Sequence, residues 1–194
     1  MQNTAIRKKR VESILLSLKK CDYLTRSQLQ QIHDLKSIRN ANRVLKSMSK
    51  YLSSYRYGLE TVYYLNKEGR DQVGCEVIRK KTPQVQHYLL RNQLWIYLKR
   101  PKSWQNEVKV EGAEHSIICD AQFEKKGVPV FVEVDVSQAM AVNKRKIEKY
   151  RQIQLMTGEP FYLLWVTEIE GRKPKLESYM NGMLGYVYSI GEIK

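Results

Sequence analysis

The stretch Thr25–Leu65, TRSQLQQIHDLKSIRNANRVLKSMSKYLSSYRYGLETVYYL, predicts two short helices joined by a sharp turn and followed by a two-stranded ribbon. The second helix is expected to follow the cap residue Ser37 and to run from Ile38 to about Lys50, because serine is a favoured N-cap. Its apolar residues recur at helical spacing, which predicts one buried face. That face consists of Ile38, Ala41, Val44, Leu45 and Met48.

The opposite face of this second helix, together with the ribbon, carries polar and basic residues. Arginine and asparagine can form two hydrogen bonds with a base edge, and cations bind phosphate groups. The ribbon is expected to pair Leu52–Tyr55 with Val62–Leu65 and to turn at Gly58. A DNA-binding surface is therefore predicted at Ser37, Arg39, Asn40, Asn42, Arg43, Lys46, Lys50, Tyr55 and Arg56. The alternatives are a merely solvated helix face and, for the tyrosines, packing on the sheet.

The order helix, turn, helix and basic ribbon resembles a winged helix-turn-helix DNA-binding domain. The chain has 34 Lys and Arg against 20 Asp and Glu, a formal net charge of +14. A chain this basic usually meets a polyanion. Residues 1–75 hold 15 of these cations against 6 acidic residues, a net charge of +9. Four consecutive cations, Arg7–Arg10, lie in a first predicted helix over residues 5–19, either as a solvated face or as phosphate contacts.

Cysteine usage and hydropathy point to the compartment. Cys21, Cys75 and Cys119 are far apart and have neither zinc nor disulfide-framework spacing, so reduced thiols are expected. No apolar run approaches the roughly 18 residues that a membrane span needs. The basic N-terminus also lacks a small-residue cleavage site. The sequence therefore predicts a cytoplasmic bacterial or phage protein, associated with the nucleoid or a plasmid and not with a membrane.

The second half of the chain predicts a separate α/β domain, and the whole chain is expected to be α+β. Thr82 and Pro83 are a favoured cap and first residue for a helix over 83–98. Strands are expected at Gln105–Val110, Ser116–Phe123 and Val128–Asp135, then a helix over 138–155, a buried strand over 161–167, a helix over 173–183 and a strand over 185–190. The predicted domains are 1–75 and 83–194, with a linker at 76–82.

Acidic residues interrupt the apolar strands of this second domain. Counting outward from the turn near Lys126 places Asp120 and Glu133 roughly opposite each other on neighbouring strands. Directly opposed like charges are unfavourable unless a divalent cation, a lysine or a shared proton compensates. Glu107 on the preceding strand is a candidate third carboxylate.

The order αβββαβ with these carboxylates resembles the PD-(D/E)XK nuclease superfamily, whose core is that of restriction endonucleases. Asp120 matches the Asp of the second strand and Glu133 matches the Glu of the third, but Asp135 stands where the pattern has lysine. The lysine would have to come from the following helix, at Lys144, Lys146 or Lys149. The resemblance implies candidate catalytic residues Glu107, Asp120, Glu133, Asp135 and Lys146. Asp120 and Glu133 would hold Mg²⁺ only if the site is active.

As an ordered set, RVESILLSL, LTRSQLQQI, NRVLKSM, VYYLNKEG, CDAQF, FVEVD and KIEKY resemble the plasmid replication-relaxation family. The resemblance implies a winged helix followed by a degenerate nuclease-like domain. The expected function is sequence-specific binding of double-stranded DNA that controls replication, maintenance or transcription of a plasmid, phage or integrative element. The alternatives are a Mg²⁺-dependent endonuclease or nickase, and a protein-interaction module. Expected partners are double-stranded DNA, a second copy of the chain, and replication or recombination proteins.

Overall fold

The computed structural model describes residues 2–112 and 116–194, and side chains from residue 5 onward within those ranges. The chain divides into two compact units, Met1–Asn92 and Gln93–Lys194. The described residues form helices and two sheets, one antiparallel and one mixed, so the predicted α+β class is confirmed. The division falls later than the linker expected over 76–82. The reason is that Arg79 and Lys80 are bound to Asp22 and Tyr23 of unit 1.

Unit 1 consists of short helices around a small sheet. Its elements are α1 (Gln2–Cys21), β1 (Leu24–Thr25), α2 (Arg26–Ile32), α3 (Ile38–Lys46), β2 (Leu52–Tyr57), β3 (Glu60–Leu65), α4 (Lys67–Val73) and the first part of α5 (Val85–Tyr97). The sheet is antiparallel in the order β1-β3-β2. Thr25 caps α2 through a capping box with Gln28, and Ser37 caps α3 as predicted.

The core of unit 1 lies under α1, α2 and α3. Its fully buried side chains include Ile14, Leu15, Leu18, Leu29, Ala41, Leu45, Met48 and Val62. The predicted inner face is therefore confirmed at Ala41 and Leu45 of α3 and at Met48 just beyond its end, whereas Val44 is half-buried and Ile38 is 58% exposed. Ile38 is the first residue of α3 and lies beyond the edge of the core. The helix also ends at Lys46, because residues 47–51 form successive turns closed by bonds such as Tyr51 N–H to the Met48 carbonyl.

Unit 2 is built on a five-stranded sheet with the order β4-β5-β6-β7-β8. Its elements are the end of α5, β4 (Gln105–Glu111), β5 (Ser116–Lys125), β6 (Val128–Asp135), α6 (Met140–Thr157), β7 (Tyr162–Thr167), a 3₁₀ turn (Glu170–Arg172), α7 (Lys173–Tyr179) and β8 (Gly185–Ser189). The first three strands pair antiparallel, whereas β6–β7 and β7–β8 are parallel. Parallel neighbours need crossover connections, and α6 and α7 provide them.

The core of unit 2 lies between the sheet and these two helices. Phe131, Ile147, Tyr150, Leu163, Trp165, Leu176 and Val187 are buried there together. The strand predicted over 161–167 is present as β7, and its second half is buried on both faces, since Trp165, Val166 and Thr167 are fully inaccessible, whereas Tyr162 is 37% exposed. Gly185 allows β8 to approach β7, because a Cβ at this position would lie 1.9 Å from the Leu163 carbonyl oxygen.

Candidate functional site

The outer face of α3 presents cations to solvent. Arg39, Asn42, Arg43 and Lys46 are all exposed. In the part of the chain that the structure describes, none of the three cations forms an ion pair. Ser37 is also exposed, but its hydroxyl is used as the cap and accepts a hydrogen bond from the Asn40 backbone N–H at 3.2 Å. The face is therefore open to an anionic partner.

Asn40 has a different position from Asn42, although both were expected to face DNA. Its side-chain nitrogen donates to the Leu35 carbonyl at 2.9 Å, which ties α3 to the preceding turn. Its side-chain oxygen accepts from an Arg43 guanidinium nitrogen at 2.8 Å. The structure thus places Asn40 behind the surface, where it orients Arg43, and leaves Asn42 as the amide exposed on α3.

The residues that were predicted to contact DNA from the β2–β3 hairpin and the turns before it also differ in exposure. Arg56 is exposed near the tip, and Lys50 is exposed in the turns before β2, outside α3. Tyr55 instead packs with Tyr23, Tyr64 and Tyr88 around Val62, Val85 and Leu89. Tyr55 therefore packs on the sheet, which was the alternative to a DNA contact for this residue.

The two units differ strongly in net charge. Residues 1–92 contain 19 Lys and Arg against 7 Asp and Glu, a net charge of +12. Residues 93–194 contain 15 against 13, a net charge of +2. Nearly all of the excess positive charge of the chain therefore belongs to the unit that carries α3.

A second cluster of polar residues crosses the sheet of unit 2. The register pairs Asn106 with Ala121 and Val108 with Cys119, which places Glu107 and Asp120 at facing positions between these pairs. The Glu107 backbone there has φ of +54°, a left-handed conformation that is uncommon for such a residue. On the other side, pairing with β6 ends at Ala121 and Val132, so the next facing positions are Asp120 and Glu133. The three residues thus occupy neighbouring positions on β4, β5 and β6, and the strand count predicts this for Asp120 and Glu133.

Glu133 is fully buried and its two carboxylate oxygens have different partners. Oε2 accepts a hydrogen bond from Lys146 Nζ within an ion pair, and Oε1 accepts from the Tyr150 hydroxyl at 2.7 Å. Lys146 and Tyr150 are four residues apart on α6 and therefore share one helix face. Of the three lysines considered for this role, Lys144 and Lys149 are exposed and Lys146 is the one that contacts Glu133.

Burial and the partners of Glu133 act on its pKa in opposite directions. Burial raises the pKa of Glu133 to about 8, and the negative charge of Asp120 acts in the same direction. Lys146 and Tyr150 oppose this rise through their charge and hydrogen bonds. Burial acts to lower the pKa of Lys146, but the charges of Glu133 and Asp120 outweigh it and raise the pKa, so the lysine stays cationic. The Asp120 carboxylate is itself bound, since Oδ2 accepts from the Val134 backbone N–H at 2.7 Å.

These residues do not fit a Mg²⁺ site. Both oxygens of Glu133 already accept hydrogen bonds, from Lys146 and from Tyr150, so a cation would have to displace these partners. Asp135 stands at the position where the nuclease pattern has lysine, and it is buried. Its carboxylate accepts hydrogen bonds from an Arg172 guanidinium nitrogen at 2.7 Å and from the Thr167 hydroxyl at 3.0 Å. Across residues 2–112 and 116–194, no group of three or more His, Cys, Asp or Glu side chains is arranged to hold a metal ion.

Two members of the clusters were missed from the sequence. Tyr150 stands in KIEKY four residues after Lys146, so helical spacing alone would have placed it beside that lysine. Arg172 pairs with Asp135 across 37 positions of sequence, and no local pattern signals that contact.

The fold and these clusters define a two-unit α+β protein with a strongly basic first unit. A family model described as replication-relaxation matches residues 15–160, and the chain belongs to this family. Membership confirms the resemblance and points to a role in plasmid replication or mobilisation.

Comparisons with individual proteins add little to this assignment. No curated protein matches the chain. Among solved structures, protein VC1899 from Vibrio cholerae is similar at 12% identity and a TM-score of 0.44, over 95% of this chain and 54% of that one. The chain thus spans about half the length of that protein. None of the described helices combines the length and apolar character of a membrane span.

Proposed function

We propose that this protein binds double-stranded DNA in a sequence-specific way and thereby controls the replication, maintenance or transcription of a plasmid, phage or integrative element. In this proposal unit 1 is a winged helix-turn-helix domain, with α2 and α3 as the helix-turn-helix and the β2–β3 hairpin as the wing. The element order α1-β1-α2-α3-β2-β3 supports this assignment. The protein would act in the bacterial cytoplasm, with a second copy of the chain and replication or recombination proteins as further partners.

The outer face of α3 carries the proposal. An α-helix fits the major groove, and there arginine and asparagine side chains discriminate bases while lysine binds phosphate. Arg39, Asn42, Arg43 and Lys46 provide these groups on one exposed face. The bond from Arg43 to Asn40 holds one guanidinium in place before DNA arrives, so less side-chain freedom is lost on binding.

Arg43→Ala is expected to weaken binding to the cognate site by about 1–3 kcal/mol and to relax base preference, because a base contact is lost. The full-length protein would first select its sites from random duplex DNA, and fluorescence anisotropy would then measure affinity for the selected and for unrelated duplexes. Lys126→Ala in the β5–β6 turn is the control, since it removes one exposed charge from unit 2.

Asn40→Ala removes the acceptor that holds the Arg43 guanidinium in place. We expect this variant to weaken DNA binding less than Arg43→Ala does, because the guanidinium itself remains. If a combined Arg39→Ala, Arg43→Ala and Lys46→Ala variant binds its site as tightly as the wild type, α3 does not contact DNA and the proposal is wrong.

For unit 2 we propose a nuclease-like α/β domain without catalytic activity. The order α5-β4-β5-β6-α6-β7 and the placement of Asp120 and Glu133 support the likeness. The hydrogen bonds that both oxygens of Glu133 already accept, and the pairing of Asp135 with Arg172, argue against a functional metal site. The unit would then serve as an auxiliary DNA surface or as a contact for a partner protein.

One observation favours the alternative of an active nuclease, namely the contact of Lys146 with Glu133, which supplies the lysine that β6 lacks. A nicking assay on supercoiled plasmid with Mg²⁺ and with Mn²⁺ separates the two possibilities. We expect no nicking above the level of an Asp120→Asn variant purified in the same way. Nicking by the wild type that Asp120→Asn abolishes would establish the nuclease in place of an inactive domain.

A further inference from the structure

A groove lined by three arginines lies beside α3 in unit 1. It has a volume of about 650 Å³ and runs between the N-terminal half of α1 and the C-terminal half of α3. Its lining consists of Ile6, Arg7, Arg10, Val11, Arg43, Val44 and Ser47. The aliphatic side chains provide an apolar wall, and the guanidinium groups and the serine hydroxyl are the polar groups.

The groove is electropositive and its charge is uncompensated. Among the residues whose side chains the structure describes, no acidic one lines it. Arg7 and Arg10 are exposed and form no ion pair within the described residues, while Arg43 bonds to the neutral amide of Asn40. Arg7 and Arg10, held at one groove without an ion-pair partner among the described residues, are suited to an anion that arrives from outside the chain.

Helical geometry selects which cations of α1 reach this groove. Arg7 and Arg10 are three residues apart and therefore lie on one face of the helix. Lys8 and Lys9, between them, do not line the groove. The run of four cations in the sequence thus divides into two pairs with equal charge and different surroundings.

The position of the groove defines the ligand. If α3 enters the major groove, it nearly fills it, because a helix with its side chains is about 10–12 Å wide and the groove about 12 Å. A surface immediately beside α3 then meets the sugar–phosphate backbone that borders the groove. Guanidinium groups bind phosphate oxygens through paired hydrogen bonds, and aliphatic side chains can pack against deoxyribose.

We infer that this groove binds the phosphodiester backbone of one DNA strand, with Arg7 and Arg10 as phosphate contacts that position α3 without reading sequence. The inference rests on the proposed function and extends the DNA interface from α3 onto α1. It distinguishes Arg7 and Arg10 from Lys8 and Lys9, which a general attraction between a basic protein and DNA would not do.

The test compares Arg7→Ala/Arg10→Ala with Lys8→Ala/Lys9→Ala, two variants that remove the same charge from adjacent positions. Fluorescence anisotropy on selected and unrelated duplexes, at several NaCl concentrations, gives Kd and its salt dependence. We expect Arg7→Ala/Arg10→Ala to raise Kd at least tenfold on both kinds of duplex and to reduce the slope of log Kd against log salt by about 2, since each phosphate contact contributes about 0.9. Lys8→Ala/Lys9→Ala should raise Kd by about twofold or less.

Each other outcome overturns the inference. Equal losses in the two variants would show long-range attraction without a site, and a changed order of preferred sequences would show that the groove reads bases. The four side chains are exposed, so both variants should fold, and thermal unfolding checks this. If Arg43→Ala weakens binding while the two double variants behave alike, only this inference fails. If the wild type binds no duplex DNA, the proposed function fails with it.

Discussion

Asp22→Asn is expected to lower the free energy of unfolding by about 3 kcal/mol, as is typical when one partner of a buried ion pair is removed. Asp22 follows α1, and its carboxylate accepts from Arg79 Nε at 2.8 Å and from an Arg91 guanidinium nitrogen at 3.0 Å. Arg91 is fully buried. Asparagine keeps the shape of the side chain and tolerates the φ of +66° at this position, so the loss isolates the charge.

Urea unfolding followed by circular dichroism measures this loss. Asp34→Asn is the matched control, because the Asp34–Lys36 pair is 77% exposed on both sides and such pairs contribute at most about 1 kcal/mol. Arg91→Met in the Asp22→Asn background should recover part of the stability by removing the buried charge. An Asp22→Asn protein that unfolds at the wild-type urea concentration would refute this account of the pair.

The second large effect is a dependence of stability on pH that Glu133 causes. Folding raises the pKa of Glu133 to about 8 through burial and the charge of Asp120, whereas an unfolded glutamate titrates near 4.3. The contribution of this residue to stability is therefore complete below about pH 4.3 and is lost as pH rises toward 8, because the folded state holds a proton that the unfolded state releases. The loss can reach about 1.4 kcal/mol per pH unit.

Glu133→Gln is expected to remove this component, because the neutral amide resembles the protonated carboxyl group. Urea unfolding at pH 5, 6.5 and 8 would show the stability of the variant rising relative to the wild type across the series. Glu124→Gln, at an exposed position of β5, should leave the pH dependence unchanged. Lys146→Met should extend the loss to higher pH, because Lys146 acts to lower the pKa of Glu133. Parallel pH profiles for wild type and Glu133→Gln would show that Glu133 is ionised throughout this range.

Periodicity and turn chemistry explain what could be predicted from the sequence. The inner face of α3 follows from 3.6-residue spacing together with the Ser37 cap, both of which are local. The neighbouring positions of Asp120 and Glu133 follow from counting back along two strands from one tight turn, which fixes the register. Helical spacing predicted burial wrongly at the ends of elements. Ile38 has the spacing of a buried residue, but it is the first residue of α3 and lies past the edge of the core.

The parts that could not be predicted depend on contacts between distant residues. Asn40 and Asn42 are chemically identical, and only the carbonyl of Leu35 decides that Asn40 turns inward. The sequence does not distinguish Lys146 from Lys144 and Lys149. Only the orientation of α6 on the sheet determines that Lys146 contacts Glu133. Tyr55 lies in an aromatic cluster because residues from α5 return to the hairpin, which no pattern near Tyr55 indicates.

That aromatic cluster bears on how the chain could be dissected. Val85, Tyr88 and Leu89 of α5 cover Tyr23, Tyr55 and Tyr64, and the Tyr23 hydroxyl donates to the Lys80 carbonyl at 2.7 Å. A recombinant fragment ending at residue 75 would uncover these rings to water and would lose both arginine partners of Asp22. Such a fragment would be prone to aggregation, whereas one that continues to Asn92, the end of unit 1, keeps the rings covered.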